Sequence, residues 1–90
     1  MERVRARVLV SGRVQGVFYR AETRDRARTR RLGGWVRNCS DGRVEAVFEG
    51  PRPQVESMID WCRRGPRYAH VESVDVSWES PVGQIEFGVR

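Results

Sequence analysis

The stretch SGRVQGVFYR at residues 11–20 joins an alternating apolar run to a helix-forming run that starts at about Arg20. The alternation over residues 3–11 predicts a strand, and Gly12 and Gly16 flank the loop that follows it. The first amides of a helix lack partners and its N-terminus carries partial positive charge, so this loop is typical of a phosphate site. Arg20 would add a planar, permanently charged fork.

The loop does not identify a ligand by itself. It matches neither the Walker pattern nor GxGxxG, so it assigns no nucleotide. A glycine-containing connection followed by a solvated arginine explains the same residues equally well when they are taken alone.

The helices and strands after the loop are predicted from the spacing of apolar residues and from the glycines and prolines that interrupt it. Residues 20–32 predict a first helix, although many arginines repel one another along it and its apolar face is poor. The glycine pair 33–34 is expected to end this helix. Residues 35–39 and 43–49 predict two strands that form a hairpin, because the Asp-Gly pair in the turn between them favours positive φ angles.

The second half of the chain predicts one helix and more strands. Gly50–Pro53 breaks the preceding strand, and Gly65-Pro66 closes the helix that follows. The apolar stripe of that helix has i, i+3, i+4, i+7 spacing and is assigned to the core: Val55, Met58, Ile59 and Cys62. Alternation at Val74, Val76 and Trp78 predicts a strand, Val71 is out of phase and predicts a bulge, and Ile85, Phe87 and Val89 predict a short last strand.

This order of elements predicts an α+β fold of the ferredoxin-like type. It is a split β-α-β sandwich (βαββαβ) with a mainly antiparallel sheet, two helices on one face and a short extra C-terminal strand. Ninety residues fit a single domain, residues 1–90, which can bury a core without disulfides or metal.

Charge is distributed unevenly along the chain. The net charge is +5, and residues 1–43 hold twelve arginines against four acids, whereas residues 44–90 hold five arginines against eight acids. A basic half suggests an anionic partner such as nucleic acid, an acidic membrane surface or a small anion, although solubility alone also explains it.

The number of cysteines and the hydropathy of the sequence indicate the cellular compartment of the protein. Cys39 and Cys62 form no metal-ligand pattern, and cysteines this sparse suggest a reducing compartment with both thiols free. No apolar run approaches the roughly 20 residues of a membrane span, and the first residues lack the apolar segment of a signal peptide. We therefore expect a cytoplasmic protein without a membrane partner.

Two motifs at one spacing identify a family. The stretch GRVQGVFYR at residues 12–20 and the stretch GWVRNCSDGRV at residues 34–44, continuing to Gly50, closely resemble the two signature motifs of the acylphosphatase family. The spacing from Arg20 to Asn38 also resembles that family, and the resemblance covers nearly the whole chain.

The resemblance implies a small enzyme that hydrolyses the carboxyl-phosphate bond of acyl phosphates to a carboxylate and inorganic phosphate. It implies that Arg20 holds the phosphoryl group and that Asn38 positions the attacking water. Backbone amides to bind the phosphoryl group would come from Gln15, Gly16, Val17, Phe18, Tyr19 and Arg20. It implies no metal, cofactor or phosphoenzyme, and we expect a monomer that does not bind nucleic acid.

One departure from the family pattern falls at the end of the first helix. Relatives often carry Leu-Gly-Leu shortly before the Gly-Trp pair, whereas this chain has Arg30-Arg31-Leu32-Gly33. The usual helix-ending glycine is displaced, which leaves the end of the helix open. We expect the stem of Arg30 to lie along the edge of the core with its head in water.

Two other classes of function are weighed against the enzyme. A ferredoxin-like nucleic-acid binder would need stacking aromatics on an open strand, but residues 43–49 offer only Phe48, which belongs to the apolar set. A non-catalytic module that binds phosphate would retain the same loop. Of the remaining reactive side chains, His70 is assigned a surface or structural place, and strand alternation turns Cys39 away from the face of Asn38.

Overall fold

The computed structural model describes residues 2–90 and contains two helices and five strands in this part of the chain. The strands and helices follow the predicted order, including the short extra strand at the end. Their bounds are β1 Arg3–Arg13, α1 Tyr19–Thr29, β2 Gly33–Asn38, β3 Val44–Pro51, α2 Arg52–Arg64, β4 His70–Glu79 and β5 Phe87–Val89.

The five strands form one sheet in the order β4-β1-β3-β2-β5. All neighbours are antiparallel except β2 and β5, which run parallel. This is the predicted ferredoxin-like arrangement, in which two split β-α-β units interleave so that β1 lies between β3 and β4. The mainly antiparallel sheet and the short extra strand are therefore confirmed.

The core lies on the face of the sheet that the helices cover. Every second residue of β1 is buried there, as the alternation predicts: Val4, Ala6, Val8 and Val10. The apolar stripe predicted for α2 is buried in the same cluster: Val55, Met58, Ile59 and Cys62. Burial of these two stripes, at about 25 cal/mol per Å² of apolar surface, holds α2 on the sheet.

The predicted bulge in β4 is confirmed, and its position explains a glycine. Ser11 pairs with Ser73 while Gly12 pairs with Val71, so that Glu72 is the extra residue. Gly12 has φ 121° and a Cβ there would lie 2.2 Å from the carbonyl oxygen of His70. Only glycine fits at this crossing, which lies immediately before the loop.

The prediction for the end of α1 is wrong. The helix stops at Thr29 rather than at Leu32, and Gly33 and Gly34 belong to β2 instead of ending the helix. Arg31 takes the left-handed conformation with φ 56°. The amide of Leu32 donates to Ala27 and that of Arg31 to Arg28, which is the Schellman pattern with an arginine at the position that usually holds glycine.

Other boundaries differ in smaller ways. Arg30 does not merely extend its head into water, because Nε donates to Ser57 Oγ at 3.1 Å and so links the two helices. Strand β3 continues through Gly50 and Pro51, which we expected to break it. Ile85, assigned to the last strand, lies outside β5 and is 76% exposed.

The face of the sheet away from the helices carries an ion-pair network rather than an open polar surface. Glu49, whose side chain is fully buried, forms an ion pair with Arg5 at 2.9 Å. Its carboxylate also accepts hydrogen bonds from the backbone amides of Val82, Gly83 and Gln84. The same network continues through Arg7, which bonds both Glu45 and Glu79 at 2.7 Å. It fixes the segment before β5 to the sheet.

Within residues 2–90, neither helix has the length and apolar character that crossing a membrane requires.

Candidate active site

The loop between β1 and α1 is bent by two left-handed residues. Gly16 has φ 73° and Phe18 has φ 64°. This conformation is ordinary for glycine, but it is strained for a bulky residue such as phenylalanine. Strain of this kind persists where the surrounding structure enforces it, often at a functional site. Phe18 is 74% exposed, so the strain is not relieved by burial of its own ring.

Buried side chains on either side of these bends hold the loop. Val14, Val17 and Tyr19 all belong to the core. The Tyr19 hydroxyl donates to the carbonyl oxygen of Cys62 at 2.7 Å, and its ring packs against Trp61 with centroids 5.4 Å apart. Burial raises the pKa of Tyr19 far above its ordinary value, so the phenol anchors the loop as a neutral group.

We call residues 15–20 the amide loop, because their backbone N–H groups have no acceptor in the described part of the chain. Phe18 is the N-cap of α1 and provides no side-chain cap. The first hydrogen bond of the helix is the one from Glu22 to the carbonyl oxygen of Phe18. Amides without an acceptor therefore lie directly before and at the positive end of the helix, which is a combination that favours an anion.

The amide loop borders a hollow of about 400 Å³. We call it the phosphate hollow, and the residues that line it are Val14, Gly16, Phe18, Tyr19, Arg20, Ala21, Arg24, Asn38 and Val89. It combines the start of α1, the end of β2 and the last residue of β5. The two signature motifs therefore meet in space, although 17 residues separate Arg20 from Asn38 in the sequence.

Two polar side chains in the phosphate hollow lack protein partners. The guanidinium of Arg20 makes no hydrogen bond or ion pair with any residue between 2 and 90, and the residue is exposed. Asn38 Oδ1 is buried and has no hydrogen-bond partner among the described residues. A buried acceptor without a partner costs about 1–3 kcal/mol, so this oxygen favours a ligand or water that donates to it.

The side chain of Gln15 bonds the hairpin that follows Asn38. Its side-chain Nε2 donates to the carbonyl oxygens of Cys39 at 2.8 Å and Arg43 at 2.9 Å. Neither Gln15 nor Val17 lines the phosphate hollow with its side chain. Only the backbone amides of these two residues remain available for the role given to the amide loop.

The hairpin after Asn38 closes as the Asp-Gly pair predicts. The amide of Cys39 donates to the carbonyl oxygen of Arg43 at 2.8 Å. Asp41 accepts hydrogen bonds from the backbone amide of Arg43 and from its guanidinium. These bonds, chiefly the one from the backbone amide, hold the pKa of the Asp41 carboxyl below its usual value. Upstream, Gly34 in β2 has φ 131°, and a Cβ there would lie 1.8 Å from the carbonyl oxygen of Val47. The turn after Asn38 and the close approach at Gly34 therefore fix both ends of β2, the strand that carries Asn38.

The structure adds residues that the motifs do not indicate. Arg24 and Val89 line the phosphate hollow, and neither was assigned to it from the sequence. The sequence could have predicted the place of Arg24, because it lies four residues after Arg20 and therefore on the same face of α1. The place of Val89 could not be predicted in this way, because it depends on the parallel pairing of β5 with β2.

The other reactive residues lie elsewhere. His70 is exposed in β4, and neither His70 nor Cys39 lines the phosphate hollow. Burial raises the pKa of the Cys62 thiol to about 12, so this thiol stays protonated. Phe48 is fully buried and stacks on Phe87 at 5.6 Å, which removes the one aromatic that a nucleic-acid interface on β3 could use.

Comparisons with known proteins agree on one family. Residues 6–88 match the family model described as acylphosphatase. A protein named acylphosphatase from Natronomonas pharaonis is 62% identical over 89 residues, which cover 99% of this chain and 97% of that protein. Another of that name, from Chloroflexus aurantiacus, is 63% identical over 84 residues, 93% of this chain and 91% of its own. The solved structure of an acylphosphatase from Coxiella burnetii superposes with a TM-score of 0.93 at 38% identity, over 98% of this chain and 93% of that one.

Proposed function

Since the chain belongs to the acylphosphatase family, we propose that it hydrolyses acyl phosphates with Arg20, the amide loop and Asn38 as its working parts. Arg20 and the amides hold the phosphoryl group, and Asn38 positions the attacking water. The products are a carboxylate and inorganic phosphate, and the latter also inhibits by occupying the same place.

The observation that carries this assignment is the meeting of three unpartnered groups in one hollow. The amides of residues 15–20 have no acceptor in the described chain, and four of these six residues line the hollow, among them Arg20 with its free guanidinium, as does Asn38 with its buried Oδ1. The first two suit the equatorial oxygens of a phosphoryl group, because charge-assisted bonds from arginine and amides are strong there. The third suits a water molecule, which can donate to an amide oxygen.

The chemistry of the substrate fits a site without a strong acid or base. The conjugate acid of a carboxylate leaving group has a pKa of about 4, so the group departs without a proton. Phosphoryl transfer passes through a loose transition state with charge on the equatorial oxygens. Positioning and electrostatic stabilisation then supply most of the rate, and the lining of the phosphate hollow offers both.

The proton of the attacking water needs a destination. Asn38 is not a base, and no carboxylate, imidazole or thiol is among the described residues that line the hollow. In our proposal the proton goes to an oxygen of the phosphoryl group itself. A pH–rate profile in which an enzyme base of pKa between roughly 5 and 8 limits the rate would contradict this step.

We propose that the protein works as a cytoplasmic monomer on a small anionic substrate, with neither nucleic acid nor a membrane as partner. The two cysteines are unpaired, which agrees with a reducing compartment. Phe48 and Trp35 are buried, and Trp78 is the one exposed aromatic side chain in the described strands, where it packs under the guanidinium of Arg52. A single ring of this kind does not form the stacking platform that recognition of bases needs.

Hydrolysis of benzoyl phosphate in the presence of a chelator tests the proposal. We expect catalytic turnover that inorganic phosphate inhibits competitively. A protein that binds phosphate at the same hollow but does not accelerate this hydrolysis would instead be a binding module, and the catalytic roles given to Arg20 and Asn38 would be wrong.

A further inference from the structure

Three arginines lie one helical turn apart along α1: Arg20, Arg24 and Arg28. Residues four apart share a face of a helix and are separated by about 6 Å along its axis. Arg28 has a structural task, since its Nε donates to the carbonyl oxygen of Phe87 at 3.0 Å and ties α1 to β5. Arg20 and Arg24 both line the phosphate hollow.

Arg24 makes no comparable contact with another element. Its one hydrogen bond within the described chain runs from Nε to Oδ1 of the adjacent Asp25, at 3.0 Å. The side chain of Arg24 is 37% exposed and that of Asp25 is 66% exposed. The terminal nitrogens of the guanidinium therefore remain free to bind a group in the hollow.

The hollow contains a second arginine besides the one that the proposed function assigns to the phosphoryl group. Its lining contains two arginines and no acidic side chain among the residues described. In the proposed function the phosphoryl group takes the amide loop and Arg20, which leaves Arg24 one turn farther along the helix. Asp25 neutralises part of the charge of Arg24, so the remaining field suits a singly charged carboxylate better than a second phosphate.

We propose that Arg24 is a specificity-determining residue that binds a carboxylate on the acyl portion of the substrate. The preferred substrate class is then an acyl phosphate derived from a short dicarboxylic acid, whose two charged ends lie a few bonds apart. Val89, which is partly exposed in the same hollow, gives the methylene groups between them an apolar contact. This inference rests on the proposed function, because it assigns the part of the hollow that the phosphoryl group leaves free.

Long-range attraction alone would give a different pattern. A positive charge near the hollow raises the encounter rate of every anionic substrate, and salt screens that effect. A direct bond to a carboxylate instead raises only the rate of substrates that possess one. The ratio of kcat/KM for two substrates separates the two cases, and it is insensitive to the fraction of folded enzyme.

The test compares succinyl phosphate, which carries the extra carboxylate, with acetyl phosphate, which lacks it. We expect wild type to prefer succinyl phosphate and Arg24→Gln to lower the ratio of kcat/KM values by about tenfold or more, as the loss of a charge-assisted bond requires. Arg24→Lys should restore part of the ratio. Arg63→Gln, which removes the same charge from an exposed site on α2 outside the hollow, should leave the ratio at its wild-type value.

Equal losses for both substrates in Arg24→Gln, or an unchanged ratio, would overturn this inference while wild-type turnover still supported the proposed function. Failure of wild type to hydrolyse either substrate would overturn the proposed function and the inference with it.

Discussion

The side chain of Gln15 donates to the carbonyl oxygen of Cys39 at 2.8 Å and so joins the amide loop to the residue after Asn38. A second bond, to the carbonyl oxygen of Arg43 at 2.9 Å, closes the contact across the hairpin. The two signature motifs are therefore connected by one amide group. The relative position of the anion site and the carboxamide of Asn38 depends on this contact.

Replacing Gln15 by alanine removes both bonds and leaves Asn38 less well placed. We expect kcat on benzoyl phosphate to fall about tenfold, because small displacements of positioning groups are costly. The free energy of unfolding should fall by about 1–2 kcal/mol. Steady-state kinetics and urea denaturation measure the two effects.

Gln54→Ala is the matched control for that experiment. Gln54 lies in α2 outside the phosphate hollow, and its Oε1 is buried without a partner in the described chain. We expect its replacement to leave kcat unchanged. A Gln15→Ala enzyme with full activity would show that the contact between the motifs has no part in catalysis.

Glu49 and its neighbours predict how stability depends on pH. Burial alone would raise the pKa of Glu49, but the amides of Val82 and Gly83 and the guanidinium of Arg5 outweigh it, so the pKa lies below its ordinary value. The bond from Arg7 likewise lowers the pKa of Glu79. Carboxylates with lowered pKa values stabilise the fold above their unfolded pKa of about 4.3, and this contribution disappears as the pH falls through the folded pKa.

Denaturation at a series of pH values below about 5 should therefore show stability declining with acid. Glu49→Gln should lose about 3 kcal/mol at neutral pH, since it leaves Arg5 without its buried partner. The same variant should show a shallower decline with acid. Glu56→Gln, at an exposed site of α2, is the control. An acid limb of unchanged slope in Glu49→Gln would contradict the role given to the network.

Arg31 predicts a stabilising substitution at the end of α1. The residue is exposed and has φ 56°, a conformation that costs arginine energy and glycine none. We expect Arg31→Gly to raise the free energy of unfolding by about 1 kcal/mol, measured by chemical denaturation. Arg31→Ala removes the same charge but keeps the strain, so it should give no such gain. Equal stabilities of the two variants would show that strain at this residue is unimportant.

Local patterns in the sequence were sufficient for the order of elements and for the two motifs. The alternation of β1 and the stripe of α2 record which face is buried, and the loop at residues 12–20 carries its glycines in sequence. The end of α1 was not predictable in this way. Arg31 occupies the usual glycine position of a Schellman turn, and nothing in its chemistry indicates a left-handed conformation.

Long-range pairing accounts for the rest of what the sequence did not reveal. The structure buries Glu49 against Arg5 and three amides from a segment more than 30 residues away, and no local pattern around Glu49 indicates these partners. The exposure of Ile85 has the same origin, because the bonds to Glu49 hold residues 82–84 in a conformation outside the ladder. Partner choice over such distances leaves no local periodicity.

The central claim is that Arg20 and the amide loop bind the phosphoryl group while Asn38 acts on water. The most direct measurement is kcat on benzoyl phosphate together with the competitive inhibition constant of inorganic phosphate, in wild type, Asn38→Ala and Arg20→Gln. Asn38→Ala should lower kcat by about 100-fold or more and change the inhibition constant by less than about threefold, whereas Arg20→Gln should impair both. An Asn38→Ala enzyme that keeps its rate but no longer binds phosphate would contradict the assignment of roles.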